Sequence, residues 1–176
     1  MQGMTVDALK SAKPLAVQSE LVTFLGDTYF KIAHVDAMPP FFMTIVSASD
    51  VWNFIWSNGG LTAGRKNADY AIFPYYTADK VADARTYTGP YTALKVTEGD
   101  KVWYWEPFSD TSTGLWKIER NLYKNTSGSK IYFEEINQDL QLTFQYGWTS
   151  SDRFGLVRHS RILNWGKERR TIAILD

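Results

Sequence analysis

Glu134 and Glu135 are the first residues to test for chemistry, because hydrolysis of a glycosidic bond uses two carboxylates that flank it. They are neighbours in Lys130-Ile-Tyr-Phe-Glu-Glu-Ile136, a strand pattern, so their side chains leave on opposite faces and cannot flank one bond. Glu106, Asp110, Asp139 and Asp152 sit in or near turns, where solvated or turn-forming roles are the default. His34 and His159 are far apart, and neither has a second ligand at metal-like spacing, so no metal site is expected. No Gly-x-Ser-x-Gly elbow occurs, and Gly59, Gly60 and Gly64 match neither a phosphate loop nor a dinucleotide fingerprint. Cysteine is absent, which removes thiolate ligands, disulfides and cysteine nucleophiles. These residues assign no catalytic group and no cofactor.

A second chemistry is binding. Between Trp52 and Tyr76 the chain concentrates aromatic rings, amides and glycines more densely than elsewhere. Ser57, Asn58, Thr62, Arg65 and Asn67 offer hydrogen-bonding groups beside Trp52, Trp56, Tyr70, Tyr75 and Tyr76. Sugars are held by such sets, a ring face on an aromatic and hydroxyls on amide or guanidinium groups. Trp52, Trp56, Asn58, Arg65 and Tyr75 are the candidate carbohydrate-binding residues. The same residues also suit a glycine-rich turn with packed rings behind it.

Composition narrows the partners. Lys plus Arg and Asp plus Glu number 19 each in 176 residues, so no cationic surplus exists for a nucleic-acid backbone. No run approaches the ~20 apolar residues of a membrane span, and the N-terminus lacks the apolar stretch of a secretory signal. With cysteine absent as well, the expectation is a soluble, cytoplasmic chain.

The elements that must position these residues are mostly strands. Thr5 caps a short predicted helix ended by Pro14, within a leader over 1–18. Leu21–Leu25 and Thr28–Ala33 read as a hairpin turned at Gly26-Asp27, followed by Phe41–Ser47 and Val51–Trp56. Trp52, Phe54 and Trp56 share one face of the last strand, and Val51, Asn53 and Ile55 the other, so cover on both sides, or on one side by a partner domain, is expected. Residues 57–91 read as a long ordered loop holding one short strand at Ala71–Phe73. From Thr92 a meander follows: Thr92–Thr97, Lys101–Glu106, Leu115–Lys124, Lys130–Ile136, Leu140–Trp148, Phe154–Asn164 and Arg170–Asp176. About ten strands with short turns and little helix predict an all-β, antiparallel sandwich over 19–176, with a closed barrel as the alternative. The chain stops inside or just after a strand, so the domain is expected to be truncated there.

Several segments resemble one family. Ser57-Asn-Gly-Gly-Leu-Thr-Ala-Gly-Arg65 with Ala71-Ile-Phe-Pro-Tyr75 is similar to the N-terminal region of large bacterial proteins related to cellobiose phosphorylases. Trp105-Glu-Pro-Phe108, Arg120-Asn-Leu-Tyr-Lys124, Glu134-Glu-Ile-Asn-Gln-Asp-Leu140 and the segment from Tyr146 to Arg158 follow in the same order. The resemblance runs from about Thr5 to Asp176 and rests on that order more than on any single motif. It implies a super-β-sandwich of galactose mutarotase-like type, followed by a linker and an (α/α)6 barrel that carries the catalytic acid.

Three functions then stand as expectations. The first is a sandwich domain that buttresses such a barrel and lends a loop to a cleft for a β-linked glucan or disaccharide. The second is a stand-alone sugar-binding module, and the third a barrel-type carrier of a small apolar ligand. Whether the parent enzyme phosphorolyses or hydrolyses is left open, because the deciding residues belong to the barrel. Apolar surface meant for linker and barrel predicts poor solubility or self-association of the isolated domain, as a homodimer in its simplest form.

Overall fold

The computed structural model describes residues 16–86 and 88–176. The leader helix expected between Thr5 and Pro14 lies outside them. In chain order the strands are β1 (Gln18–Phe24), β2 (Asp27–Ala33), β3 (Phe42–Thr44), β4 (Val51–Trp56), β5 (Leu61–Arg65) and β6 (Ala71–Phe73). A short helix α1 (Ala78–Asp83) precedes β7 (Ala93–Glu98) and β8 (Lys101–Trp105). The chain continues through β9 (Ile118–Asn125), β10 (Lys130–Asn137), β11 (Leu142–Ser151), β12 (Gly155–Asn164) and β13 (Thr171–Leu175). All paired strands are antiparallel.

These strands make a six-stranded sheet in the order β1-β2-β9-β10-β11-β12, a four-stranded sheet β3-β4-β5-β6 and a three-stranded sheet β13-β7-β8. One face of the large sheet presents Leu122, Ile131, Phe133, Phe144 and Trp148 to a buried cluster. The same cluster takes Ile55 and Leu61 from the β3–β6 sheet, and Leu94, Val96 and Trp105 from β7 and β8. Both small sheets therefore form the second layer over one face of the large one, an all-β antiparallel sandwich. Each large apolar side chain buried there contributes about 1.5–3 kcal/mol, so the layers hold by area rather than by any single contact. Among the described residues the large sheet is open, with β1 and β12 at its edges, and the closed-barrel alternative is set aside.

Several local expectations change. The first turn is Leu25-Gly26, not Gly26-Asp27, since Phe24 pairs with Asp27. Both turn residues have positive φ, 50° and 78°, the mirror-image geometry that matches strand twist. Residues 61–65, expected as loop, form β5 beside β4, while Ala71–Phe73 is the short strand expected. Ala63 and Gly64 kept β5 hidden: their small side chains carry almost no apolar alternation, yet Gly64 is where the Trp52 ring lies. Helix α1, at six residues, is too short to show a helical period. The β10–β11 hairpin turns through residues 138–141, so β11 starts at Leu142 rather than Leu140.

β4 is covered on both sides, as its two apolar faces require. Val51, Asn53 and Ile55 are buried toward the core, while Trp52, Phe54 and Trp56 are half-buried on the outside. The outer cover comes from the chain's own rings, Phe42 and Tyr75 among them. Among the described residues no helix is long and apolar enough to cross a membrane.

Candidate functional site

The candidate binding residues divide into three places. Trp52 and Trp56 lie on the outer face of β4 in a row of rings: Trp52 meets Phe54 at 5.9 Å and Tyr75 at 5.9 Å, and Phe42 meets Phe54 at 5.7 Å and Trp56 at 6.1 Å. The indole N–H groups of Trp52 and Trp56 are buried in this row without a hydrogen-bond acceptor. Arg65, at the far end of β5, is engaged: Nε and Nη2 donate to Asp50 Oδ1 at 3.0 and 2.7 Å, and Nη2 also to the Asp152 carbonyl at 3.0 Å. Asn58 belongs to the turn at the opposite end, with about 13 Å of β5 in between at the usual strand rise. The structure thus gathers Trp52, Trp56 and Tyr75, and separates Asn58 from Arg65.

The Asn58 turn is built for close approach. Asn58 Oδ1 accepts from Gly60 N at 3.1 Å, and Nδ2 donates to the Ala82 carbonyl at 3.1 Å, which ties α1 to the hairpin. A Cβ at Gly60 would stand 2.2 Å from the Val81 carbonyl oxygen, so only glycine lets the helix rest on the turn.

Two adjoining cavities open at this end, of about 330 and 480 Å³. Asn58, Arg85, Phe108 and Asp110 line both. The first continues past Arg120 and Phe133 toward Asp36; the second runs past Gly59 and Tyr146 to Tyr91. Both volumes fall within or near the range of small-molecule sites, and the lining mixes rings with a few polar groups as such sites do.

The shared wall is shaped from inside by Glu135. Its carboxylate, fully buried on the core face of β10, accepts from Trp105 Nε1 at 2.8 Å, Arg120 Nε at 2.8 Å and Phe108 N at 2.7 Å. Arg120 Nη2 also donates to the Ser109 carbonyl at 2.8 Å. These bonds hold Phe108 in a left-handed conformation, φ 65°, that a bulky residue adopts only under such constraint. Ser109 then starts a short 3₁₀ turn, accepting from Thr111 N at 3.2 Å, and Asp110 projects from that turn to pair with Arg85.

Behind the second cavity, Arg158 stacks 5.0 Å from the centre of the Tyr146 ring and is held by Asp176 and Thr92. Burial pushes the Tyr146 phenol well above its usual range, with Arg158 and Arg85 opposing that shift. Tyr91 at the outer rim is raised as well, chiefly by its hydrogen bond to the Glu106 carboxylate.

Glu134 faces away from the core, as the strand period requires, and is also buried. It accepts from Asn121 Nδ2 at 2.9 Å, Tyr123 hydroxyl at 2.8 Å and the Gln145 amide. Among the described residues no group of three or more His, Asp or Glu side chains could hold a metal ion. His34 donates its backbone N–H to Asn121 Oδ1 at 3.2 Å, and His159 is exposed on edge strand β12.

Of the expected binding residues only Asn58 lines the cavities; Arg85, Phe108, Asp110 and Arg120 were not among them. Arg85 and Asp110 sit in segments without pattern, and their meeting is tertiary. Glu135 was legible in part, because a glutamate on a core face must be met by donors. What fold and site define is an antiparallel sandwich with a polar, ring-lined double cavity at one end. No family model and no curated protein matches the chain.

Proposed function

We propose that this chain is the sandwich domain of a cellobiose phosphorylase-like, carbohydrate-active enzyme, and that its double cavity binds sugar. One observation carries this reading. The segments of the resemblance, scattered over nearly a hundred positions, supply the cavity walls or their support: Asn58 and Gly59, Phe108, Arg120, Glu135 and Tyr146. Rings offer a pyranose face, while Asn58 and the arginines offer partners for hydroxyls.

Catalysis belongs, in this reading, to an (α/α)6 barrel, with the sandwich supporting it and lending the Ser57–Gly60 turn to carbohydrate binding. The described residues agree with that division, since Glu134 and Glu135 are each committed to separate buried networks. A β-linked disaccharide or short glucan is the matching ligand class. The aromatic row over β4 favours a second reading, a stand-alone sugar-binding module.

Titration of the chain with cellobiose, followed by residue-resolved NMR, tests both. The enzyme-domain reading expects shifts at Asn58, Arg85, Phe108 and Arg120. Shifts confined to Trp52, Trp56 and Tyr75 favour the module, and no shifts at either place overturn sugar binding.

A further inference from the structure

The two cavities share four lining residues, Asn58, Phe108 and the ion pair of Arg85 with Asp110. Arg85 Nη2 contacts Asp110 Oδ2, and both side chains line both cavities. Asp110 is largely exposed, with 77% side-chain accessibility against 27% for Arg85. A solvated pair of this kind stabilises little, so it opens at small cost. It differs in this from the pair of Arg120 and Glu135, at 10% and 0%, which is a structural brace.

Charge and donor chemistry say what would enter. The two guanidinium groups that line the first cavity are each already paired, Arg85 with Asp110 and Arg120 with the buried Glu135, and Asp36 adds a further carboxylate. A phosphate or other anion finds no uncompensated cation there. Arginine only donates and an ionised carboxylate only accepts, whereas a hydroxyl does both. A hydroxyl inserted between Arg85 and Asp110 satisfies both charged groups at once and leaves neither unpaired.

We propose that Arg85 and Asp110 divide a single cleft, and that a neutral disaccharide spans both chambers by placing one of its hydroxyls between them. A monosaccharide occupies one chamber and leaves the pair closed. The pair is thus the element that selects ligand length. This inference rests on the reading that the cavity binds sugar.

The test compares glucose with cellobiose on the whole chain and on Asp110→Ala, Asp110→Asn and Arg85→Ala. Hydrogen bonds to charged groups are the stronger kind, so each alanine variant is expected to lose about tenfold in cellobiose affinity, with glucose changing less than about twofold. In the unmodified chain the Arg85 Nε–H resonance is expected to move with cellobiose and to stay with glucose, a readout that needs no variant to fold. Equal losses for the two sugars, or cellobiose binding that leaves the Arg85 resonance unmoved, overturns the partition while sugar binding stands. No response to either sugar anywhere overturns both.

Discussion

Glu134 and Glu135, adjacent in sequence, are both buried and serve opposite faces of the large sheet. Glu135 joins the two layers: its partners Trp105 and Arg120 come from β8 and β9. Removing it leaves the Arg120 guanidinium, the Trp105 indole N–H and the backbone N–H of left-handed Phe108 without their shared acceptor. Glu135→Ala is therefore expected to destabilise the chain by about 3–5 kcal/mol, the usual cost of stranding one partner of a buried ion pair. Trp105→Phe removes one donor and should cost less, about 1–3 kcal/mol. Urea unfolding of both variants checks the ranking, and equal values would show that Glu135 does not organise the wall.

Gly64 pairs with Trp52 across β4 and β5. A Cβ there would lie 2.5 Å from the Trp52 ring, 2.6 Å from the Tyr70 carbonyl oxygen and 2.8 Å from Ala71 Cα. Two of these three neighbours are backbone, which cannot step aside as a side chain does. Gly64→Ala should cost roughly 1–3 kcal/mol or more. Trp52→Ala in the same chain should fail to restore the loss, and full rescue in thermal melts would locate the clash in the ring alone.

The two glutamates also show how far the sequence could be read. Their opposite orientations follow from the two-residue period, as do β9 to β11, each with one face toward the core. β5 escaped because Thr62, Ala63 and Gly64 read as turn residues until the Trp52 ring supplies a reason for smallness. Trp52 and Trp56 were recognisable as a pair on one face, but Arg65 was not recognisable as a partner of Asp50 and the Asp152 carbonyl. Asp110 read as a turn residue and is one; that it meets Arg85, 25 positions earlier, is a property of how the loops pack.

The aromatic row and the cavity predict different variants. Trp56 has its ring against Phe42, and Arg65 is bonded to its own chain, so neither reaches the cavity. Trp56→Ala and Arg65→Ala are expected to leave cellobiose affinity within about twofold, whereas Phe108→Ala, which removes a wall of both chambers, should lower it about tenfold or more. Calorimetric titration of the three proteins checks this. A reversed order would move the binding surface to the row.

Asp176 sets an acid limit. Its partial burial would raise the carboxyl, but hydrogen bonds from Arg158 and Thr92 and the Arg158 charge outweigh that, so it lies below its usual 3.8. A carboxyl lowered by folding stabilises the native state above pH 3.8, and that contribution fades as the pH falls through the folded value. Asp176→Asn should lower stability at neutral pH and flatten the acid branch of the stability curve below pH 3.8, measured by denaturant midpoints. An unchanged acid branch would show that the Arg158 clamp contributes nothing to folding.

Buried phenols set the alkaline limit. Burial, aided by Tyr132 and Asp27, pushes Tyr29 from 10.0 to about 12. Tyr123 is raised by burial and by the Glu134 carboxylate it bonds, and Tyr146 chiefly by burial. In each case folding favours the neutral phenol, so the contribution is complete below pH 10 and is lost as the pH climbs through the folded values. By phenolate absorbance Tyr29, Tyr123 and Tyr146 should ionise only as the fold opens. Tyr123→Phe removes the hydroxyl that faces Glu134 and should shift the alkaline transition to higher pH while weakening the native state at neutral pH. A titration in which Tyr29, Tyr123 and Tyr146 ionise near pH 10, with the fold intact by circular dichroism, would contradict the burial of these three rings.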